Sequence, residues 1–262
     1  MKSADISYNF SIAKVLSILM VAAGHYFGGL LWIPTTVALF IFAFSSGYFS
    51  SSKYTGDFSV REFWKAKVVR LGLSLALINL FLLALFLVQG RSNVMTWDTL
   101  WGVSGLSAAL AWFGLPYHSP FGYELWITVF GFILGTYAGH IPARMTFVRS
   151  GGILVASITA MLILNRLFNV NFLNYYFILV SSVMVCNILL VRRLPYALGP
   201  FILPFAGCVL EIYLLHCYLF VRSPASAIAG FALSLTLILL TAMTLSKINS
   251  FLAAARSKPS PA

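Results

Sequence analysis

The sequence predicts an all-α polytopic membrane protein. Of its 262 residues, 60% are apolar and only 9% are charged, whereas soluble domains average about 45–50% apolar and about 25% charged residues. A soluble fold needs far more charged side chains to cover its surface, and intrinsic disorder requires low hydrophobicity. Since a spanning helix takes about 20 residues, the chain has room for about eight or nine spans and no separate extramembrane domain.

Eight apolar stretches are long enough to cross a bilayer. A further stretch, residues 94–117, contains Asp98 and is interrupted by glycines and Pro116. Because irregular backbone at membrane depth must be buried in protein or line a cavity, we expect this stretch to be a re-entrant or partial segment. The total is then about eight spanning helices plus this segment, or eight to ten elements. The eight predicted spans are residues 8–28, 31–50, 69–89, 121–140, 150–165, 172–191, 199–221 and 226–246.

The basic residues predict the orientation. If residues 94–117 do not cross, 13 basic residues face one side and three face the other, and Lys14 lies inside the membrane; if they do cross, the split is eight to eight. The positive-inside rule favours the first topology, with both termini in the cytoplasm. We predict a single domain over residues 1–250 and a polar cytoplasmic tail over residues 251–262. The 13 residues are Lys2, Lys53, Arg61, Lys65, Lys67, Arg70, Arg144, Arg149, Arg192, Arg193, Lys247, Arg256 and Lys258.

The net charge of +11 would suggest a nucleic-acid partner in a soluble protein. Here the basic residues lie between spans, where they set orientation and contact anionic lipid, so the expected partner is the bilayer and not nucleic acid. Cys186, Cys208 and Cys217 lie in apolar runs without a C-x-x-C spacing, which predicts packing roles. The histidines show neither H-x-x-x-H nor H-E-x-x-H spacing, so no metal site is predicted.

Ionisable residues inside spans are the informative ones, because burying them in lipid is costly. The first span contains Lys14 and His25, whose separation of eleven residues is three helical turns plus about 20°, so both lie on one face about 16 Å apart. Histidine suits proton transfer near neutral pH. Alternatively, His25 hydrogen-bonds a neighbouring helix while Lys14 reaches towards the interface.

Three further regions contain candidate site residues. The second span ends in the small-residue patch around Ser46, which serves helix packing or places Ser46 in a site. The loop after it contains a basic run from Arg61 to Arg70, which either sets topology or binds the phosphates of a cytosolic ligand. The chain has no glycine-rich phosphate loop, which argues against a nucleoside triphosphate motor. Two later spans add Tyr123, Glu124 and Trp126, and then Glu211, Tyr213 and His216.

The late pair Tyr213 and His216 are three residues apart and therefore neighbours on a helix surface. Glu211 and His216 are five residues apart, about 140° around a helix, so they are not expected to share a face.

These motifs, in this order, resemble the integral-membrane acyltransferase-3 family, which O-acylates sugars of bacterial surface glycans and some small molecules. The matches are Lys14 with His25 (Lys where the family more often has Arg), Ser46-Gly-Tyr, Lys67-Val-Val-Arg70, Leu125-Trp and Tyr213-Leu-Leu-His. The chain is shorter than most members and has fewer helices than the customary ten. It also lacks the Trp-Ser-Leu-x-x-Glu sequence of many members and a fused extracytoplasmic domain.

The resemblance implies an enzyme of the bacterial inner membrane. It uses acyl-CoA, most often acetyl-CoA, as a co-substrate with no bound cofactor, and acylates a hydroxyl of a lipid-linked sugar or a surface polysaccharide such as lipopolysaccharide. His25 would be the general base. The donor would be positioned by Lys14, Arg61, Lys67 and Arg70. Oxyanion or acceptor contacts would come from Ser46, Tyr123, Glu124, Trp126, Tyr213 and His216.

Two alternatives remain open: a non-catalytic flippase or exporter of lipid-linked glycans, and an assembly subunit. Transporters often show inverted repeats and paired broken helices, whereas this sequence shows one interrupted stretch, residues 94–117. An acyltransferase is expected to consume acetyl-CoA and to lose function on His25→Ala, and a carrier is not.

Overall fold

The protein is predominantly helical in the part that the structure, a computed structural model, describes. This part comprises residues 3–28, 31–53, 60–89, 122–141, 144–168, 173–222 and 226–256, with side chains described outside 52–53, 60–71, 122–126 and 253–256. It contains no β-strand, and six helical segments are long and apolar enough to cross a membrane. The predicted class, a multi-pass helical membrane protein, is confirmed.

The helices follow the predicted spans in order. Two of them have shorter apolar parts, Gly72–Val88 and Ile127–His140. The re-entrant segment predicted at residues 94–117 lies outside the described residues. The helices are α1 (Ser3–Tyr26), α2 (Trp32–Lys53), α3 (Val60–Val88), α4 (Gly122–His140), α5 (Phe147–Phe168), α6 (Asn174–Val191), α7 (Gly199–Ile202), α8 (Val209–Leu215) and α9 (Ala227–Arg256).

One predicted boundary is wrong, and a second helix also extends beyond its apolar stretch. The basic run from Arg61 to Arg70, predicted as a loop, belongs to the first turns of α3. Similarly, α9 continues to Arg256, into the region predicted as a polar tail. Arg, Lys, Glu and Ala have high helix propensity, so a helix that starts in the apolar stretch continues into the polar one.

The predicted seventh span is not one continuous helix. Residues Tyr196–Tyr218, called the broken segment below, alternate short α-helices with 3₁₀ turns at Tyr196–Leu198, Leu203–Cys208 and His216–Tyr218. Pro200 and Pro204 lie inside the segment. Since proline has no N–H to donate and fixes its own φ angle, it disfavours a regular helix interior.

The chain divides into two compact units. Unit 1 contains residues 1–58 and 121–206, and unit 2 contains residues 59–120 and 207–262. Unit 1 therefore holds α1, α2 and α4–α7, and its core includes the buried side chains of Phe10, Phe40, Phe44, Ile127 and Ile178. Unit 2 holds α3, α8 and α9, with Ile78, Ile212 and Ile238 fully buried.

Glycines bring α2 and α4 of unit 1 into close contact. Gly131, Gly135 and Gly139 recur at every fourth residue of α4. A Cβ at Gly135 would collide with the carbonyl oxygen of Phe44 in α2, and one at Gly47 would collide with the α4 backbone. Small residues at such spacing let helices in lipid gain van der Waals contact. The packing role expected for the small-residue patch of α2 is therefore confirmed.

A buried amide fixes α1 against the end of α6. Asn9 Nδ2 donates to the carbonyl oxygens of Leu189 (2.7 Å) and Arg192 (2.8 Å), and Asn9 Oδ1 accepts from Leu194 N (2.9 Å). Nearby, Arg193 forms an ion pair with Asp5 at 3.0 Å. The two hydrogen bonds that Asn9 Nδ2 donates satisfy carbonyl oxygens at the C-terminus of α6, where a helix otherwise leaves such groups without partners.

Candidate functional site

Helix α1 carries both residues of the first predicted motif. Because α1 runs without interruption from Ser3 to Tyr26, the eleven residues between Lys14 and His25 correspond to about 16 Å along its axis. Lys14 is half-buried and His25 is exposed. The ammonium group of Lys14 and the imidazole of His25 are therefore separated along the axis of one helix.

The structure brings Lys14 to the second predicted motif. Its Nζ lies 5.3 Å from the centroid of the Phe49 ring, within the range of a cation–π contact. Phe49 follows Tyr48 of the Ser-Gly-Tyr motif in α2. Phe10, one turn before Lys14, packs against the rings of Tyr48 and Phe49 with centroid distances of 6.0 and 5.8 Å. Residues far apart in sequence thus form one cluster inside unit 1.

Within the Ser-Gly-Tyr motif each residue has a different environment. The exposed Ser46 Oγ donates to the carbonyl oxygen of Phe42 at 2.9 Å, and a hydroxyl keeps the capacity to accept hydrogen bonds. Gly47 provides the close approach to α4. The hydroxyl of Tyr48 accepts a hydrogen bond from Arg144 Nη2 at 3.1 Å.

Arg144 contacts this motif. From the sequence, it was expected only to help set the orientation of the protein in the membrane. Its Nη1 donates to the carbonyl oxygen of Leu190 at 3.1 Å, and its Cζ lies 5.9 Å from the centroid of the Tyr48 ring. Its Nε is buried and has no hydrogen-bond partner among the described residues. No local sequence signal could have revealed a contact between residues 96 positions apart.

Several predicted site residues have undescribed side chains. Arg61, Lys67 and Arg70 belong to α3 of unit 2, and Tyr123, Glu124 and Trp126 belong to the first turns of α4 in unit 1. The roles assigned to these six residues stay predictions.

In unit 2, the last two predicted residues are neighbours, as their spacing indicates. The rings of Tyr213 and His216 lie 5.7 Å apart, and His216 Nδ1 forms a hydrogen bond with the Tyr213 carbonyl oxygen. His216 is buried and Tyr213 is exposed. Glu211 is buried as well, so the unit encloses an acid and an imidazole in the same segment.

The cysteines agree only in part with the expected packing role. Cys186 and Cys208 are buried, whereas Cys217 is exposed.

No family model, curated protein or solved structure matches the chain. The contacts of α1 with α2 are therefore the main basis for a function.

Proposed function

We propose that the protein is an integral-membrane O-acyltransferase of the bacterial inner membrane that uses acetyl-CoA as donor. The acceptor is a hydroxyl of a lipid-linked sugar or a surface polysaccharide. The observation that supports this proposal is the contact between Lys14 and Phe49, because it joins the Lys14–His25 helix to the Ser-Gly-Tyr motif. Together with Lys67-Val-Val-Arg70, these two motifs are the more specific part of the resemblance to the acyltransferase-3 family.

His25 is the general base in this mechanism. Its imidazole takes the proton from the acceptor hydroxyl as the hydroxyl oxygen attacks the thioester carbonyl carbon. The C–O ester bond forms, the C–S bond breaks, and the coenzyme A sulfur leaves and receives the proton. The exposure of His25 gives substrates access to the imidazole. Direct transfer and a transient acyl-histidine are both compatible with this residue.

Lys14 positions the donor and does not take part in the bond changes. Its distance from His25, about 16 Å along α1, is too long for an oxyanion contact at the same carbonyl carbon. Together with Arg61, Lys67 and Arg70, it contributes positive charge for the phosphate groups of coenzyme A. The oxyanion is assigned to Ser46 or His216, and acceptor contacts to Tyr123, Glu124, Trp126 and Tyr213.

Inverted membrane vesicles, which expose the cytoplasmic face, test this proposal. Vesicles from cells expressing the protein receive acetyl-CoA labelled in the acetyl group, and the label is followed into lipid-linked glycan and polysaccharide. We expect label with the wild-type protein and none with His25→Ala. The matched control is His140→Ala, which removes another exposed histidine of unit 1 and should leave labelling unchanged. Labelling that does not depend on His25 would contradict the mechanism.

A second candidate, a carrier of lipid-linked glycans, is favoured by the broken segment. Transporters commonly build substrate and ion sites on discontinuous helices at membrane depth, and this segment contains the buried Glu211. A carrier would move a fluorescent lipid-linked glycan across vesicles without consuming acetyl-CoA. Translocation that persists in His25→Ala, with no acetyl transfer by the wild type, would favour the carrier.

A further inference from the structure

Unit 2 contains a buried carboxylate that the proposed acyl transfer does not use. Glu211 is 4% exposed and lies in the broken segment, an apolar stretch long enough to span a membrane. Ionisable residues at such positions are rare and commonly mark ion or substrate sites. The surroundings of Glu211 therefore indicate what it binds.

Two helices place polar side chains beside this carboxylate, one in contact with it and one a hydrogen bond further away. Ser74 Oγ of α3 donates to Glu211 Oε1 at 3.2 Å. Asn249 Nδ2 of α9 donates in turn to Ser74 Oγ at 2.8 Å. A half-turn of the Asn249 amide about its Cβ–Cγ bond would present Oδ1 in place of Nδ2. The carboxylate, the hydroxyl and the amide oxygen would then be neighbours, with Ser74 Oγ between the other two.

The break in the helix extends this set towards the surface of the unit. Gly207, four residues before Glu211, is exposed, and its carbonyl oxygen accepts from Ser246 Oγ at 3.3 Å. Ser246 is three residues before Asn249, so both lie on neighbouring positions of α9. Carbonyl groups at interrupted helices are known ligands of Na⁺ in membrane proteins. A backbone carbonyl of the broken segment thus lies against α9 about one turn from Asn249.

The charge balance indicates a monovalent cation. Among the described side chains, no basic group forms an ion pair with Glu211. The exposed Lys247 lies two residues before Asn249. Because this separation is about 200° around α9, the two residues lie on different faces of the helix. A single carboxylate with neutral oxygens matches one positive charge, whereas divalent ions usually take several carboxylates.

We propose that Glu211, Ser74 and Asn249 form a binding site in unit 2 for a monovalent cation. Na⁺ is the ion with which this site is probed. The site is independent of the acyl transfer, because it involves neither Lys14 nor His25. Binding to the folded state alone stabilises a protein by mass action. Sodium should therefore raise the temperature of unfolding in a saturable way.

The test uses the full-length protein in detergent, with NaCl exchanged for choline chloride at constant ionic strength. We expect sodium to raise the midpoint of thermal unfolding by several degrees in the wild type. The shift should be absent in Glu211→Gln. It should be unchanged in Asp5→Asn, which removes another carboxylate of the chain. An equal response to choline, or a full response in Glu211→Gln, would overturn the proposal.

Direct binding of ²²Na⁺ to the wild-type protein provides a measurement that needs no variant. We expect saturable binding of about one ion per chain, in line with one site, and binding several-fold weaker in Ser74→Ala, which keeps the carboxylate. If the wild type shows no saturable binding, the proposal is wrong, whether or not Glu211→Gln folds.

Discussion

The two units of the protein hold their helices together in different ways. Unit 1 joins α2 to α4 through glycines, and its buried polar side chains include the neutral Asn9, whose amide is bonded to backbone groups. Its ionisable residues Lys14 and His25 are half-buried and exposed. Unit 2 instead buries the carboxylate of Glu211 against a serine. Exposed groups can be reached by a substrate, whereas the carboxylate of Glu211 is enclosed by the protein.

The largest effect on stability is expected where the glycine interface of unit 1 is filled. In Gly135→Ala the added methyl group meets the carbonyl oxygen of Phe44, so we expect the free energy of unfolding to fall by about 3 kcal/mol, at the upper end for overpacking. Gly152→Ala in α5 meets nothing within 4 Å and should gain up to about 1 kcal/mol from helix propensity. Thermal unfolding in detergent measures both variants. Changes of the same sign would contradict the packing account.

A somewhat smaller loss is expected where unit 1 depends on its buried amide. Asn9→Ala removes two donors and one acceptor that serve the backbone at the end of α6. Leaving buried backbone groups without partners should cost about 2 kcal/mol. The control is Thr236→Ala, whose exposed hydroxyl bonds only to a carbonyl of its own helix and should change stability by less than about 0.5 kcal/mol. Equal unfolding midpoints for the two variants would show that the amide does not hold α1 to α6.

The smallest effect is expected at Lys14, which concerns substrate binding. If Lys14 positions the donor, Lys14→Ala should raise KM for acetyl-CoA about tenfold, equivalent to about 1.4 kcal/mol, and leave kcat nearly unchanged. Lys14→Arg keeps the charge and should behave like the wild type. Steady-state rates in inverted vesicles give both constants. A fall in kcat with an unchanged KM would instead place Lys14 at the reacting atoms.

Hydropathy predicted the long helices well because a bilayer imposes one length and one composition on each span. It did not predict where helices extend into polar sequence, as in the first turns of α3. The break in Tyr196–Tyr218 and the glycine interface of α4 did have local signals, namely Pro200, Pro204 and the four-residue spacing of the glycines. Mean hydropathy is insensitive to both, because a few prolines or glycines hardly change the average.

The candidate sites could be predicted only where their residues share one helix. Lys14 and His25 do so, and the helical repeat alone is enough to place them on one face. The contacts of Arg144 with Tyr48 and of Glu211 with Ser74 join residues 96 and 137 positions apart. Such contacts depend on how helices pack, and no spacing rule within a single sequence contains that information.

The most direct test of the catalytic role proposed for His25 of α1 is the initial rate of acetyl transfer, measured per folded molecule in the wild type, His25→Ala and His140→Ala. General-base catalysis contributes about 10²–10⁴-fold to a rate. We therefore predict a fall of at least about 100-fold in His25→Ala, an unchanged rate in His140→Ala, and equal unfolding midpoints for all three proteins. A His25→Ala rate close to that of the wild type would contradict the assignment of His25 as the base.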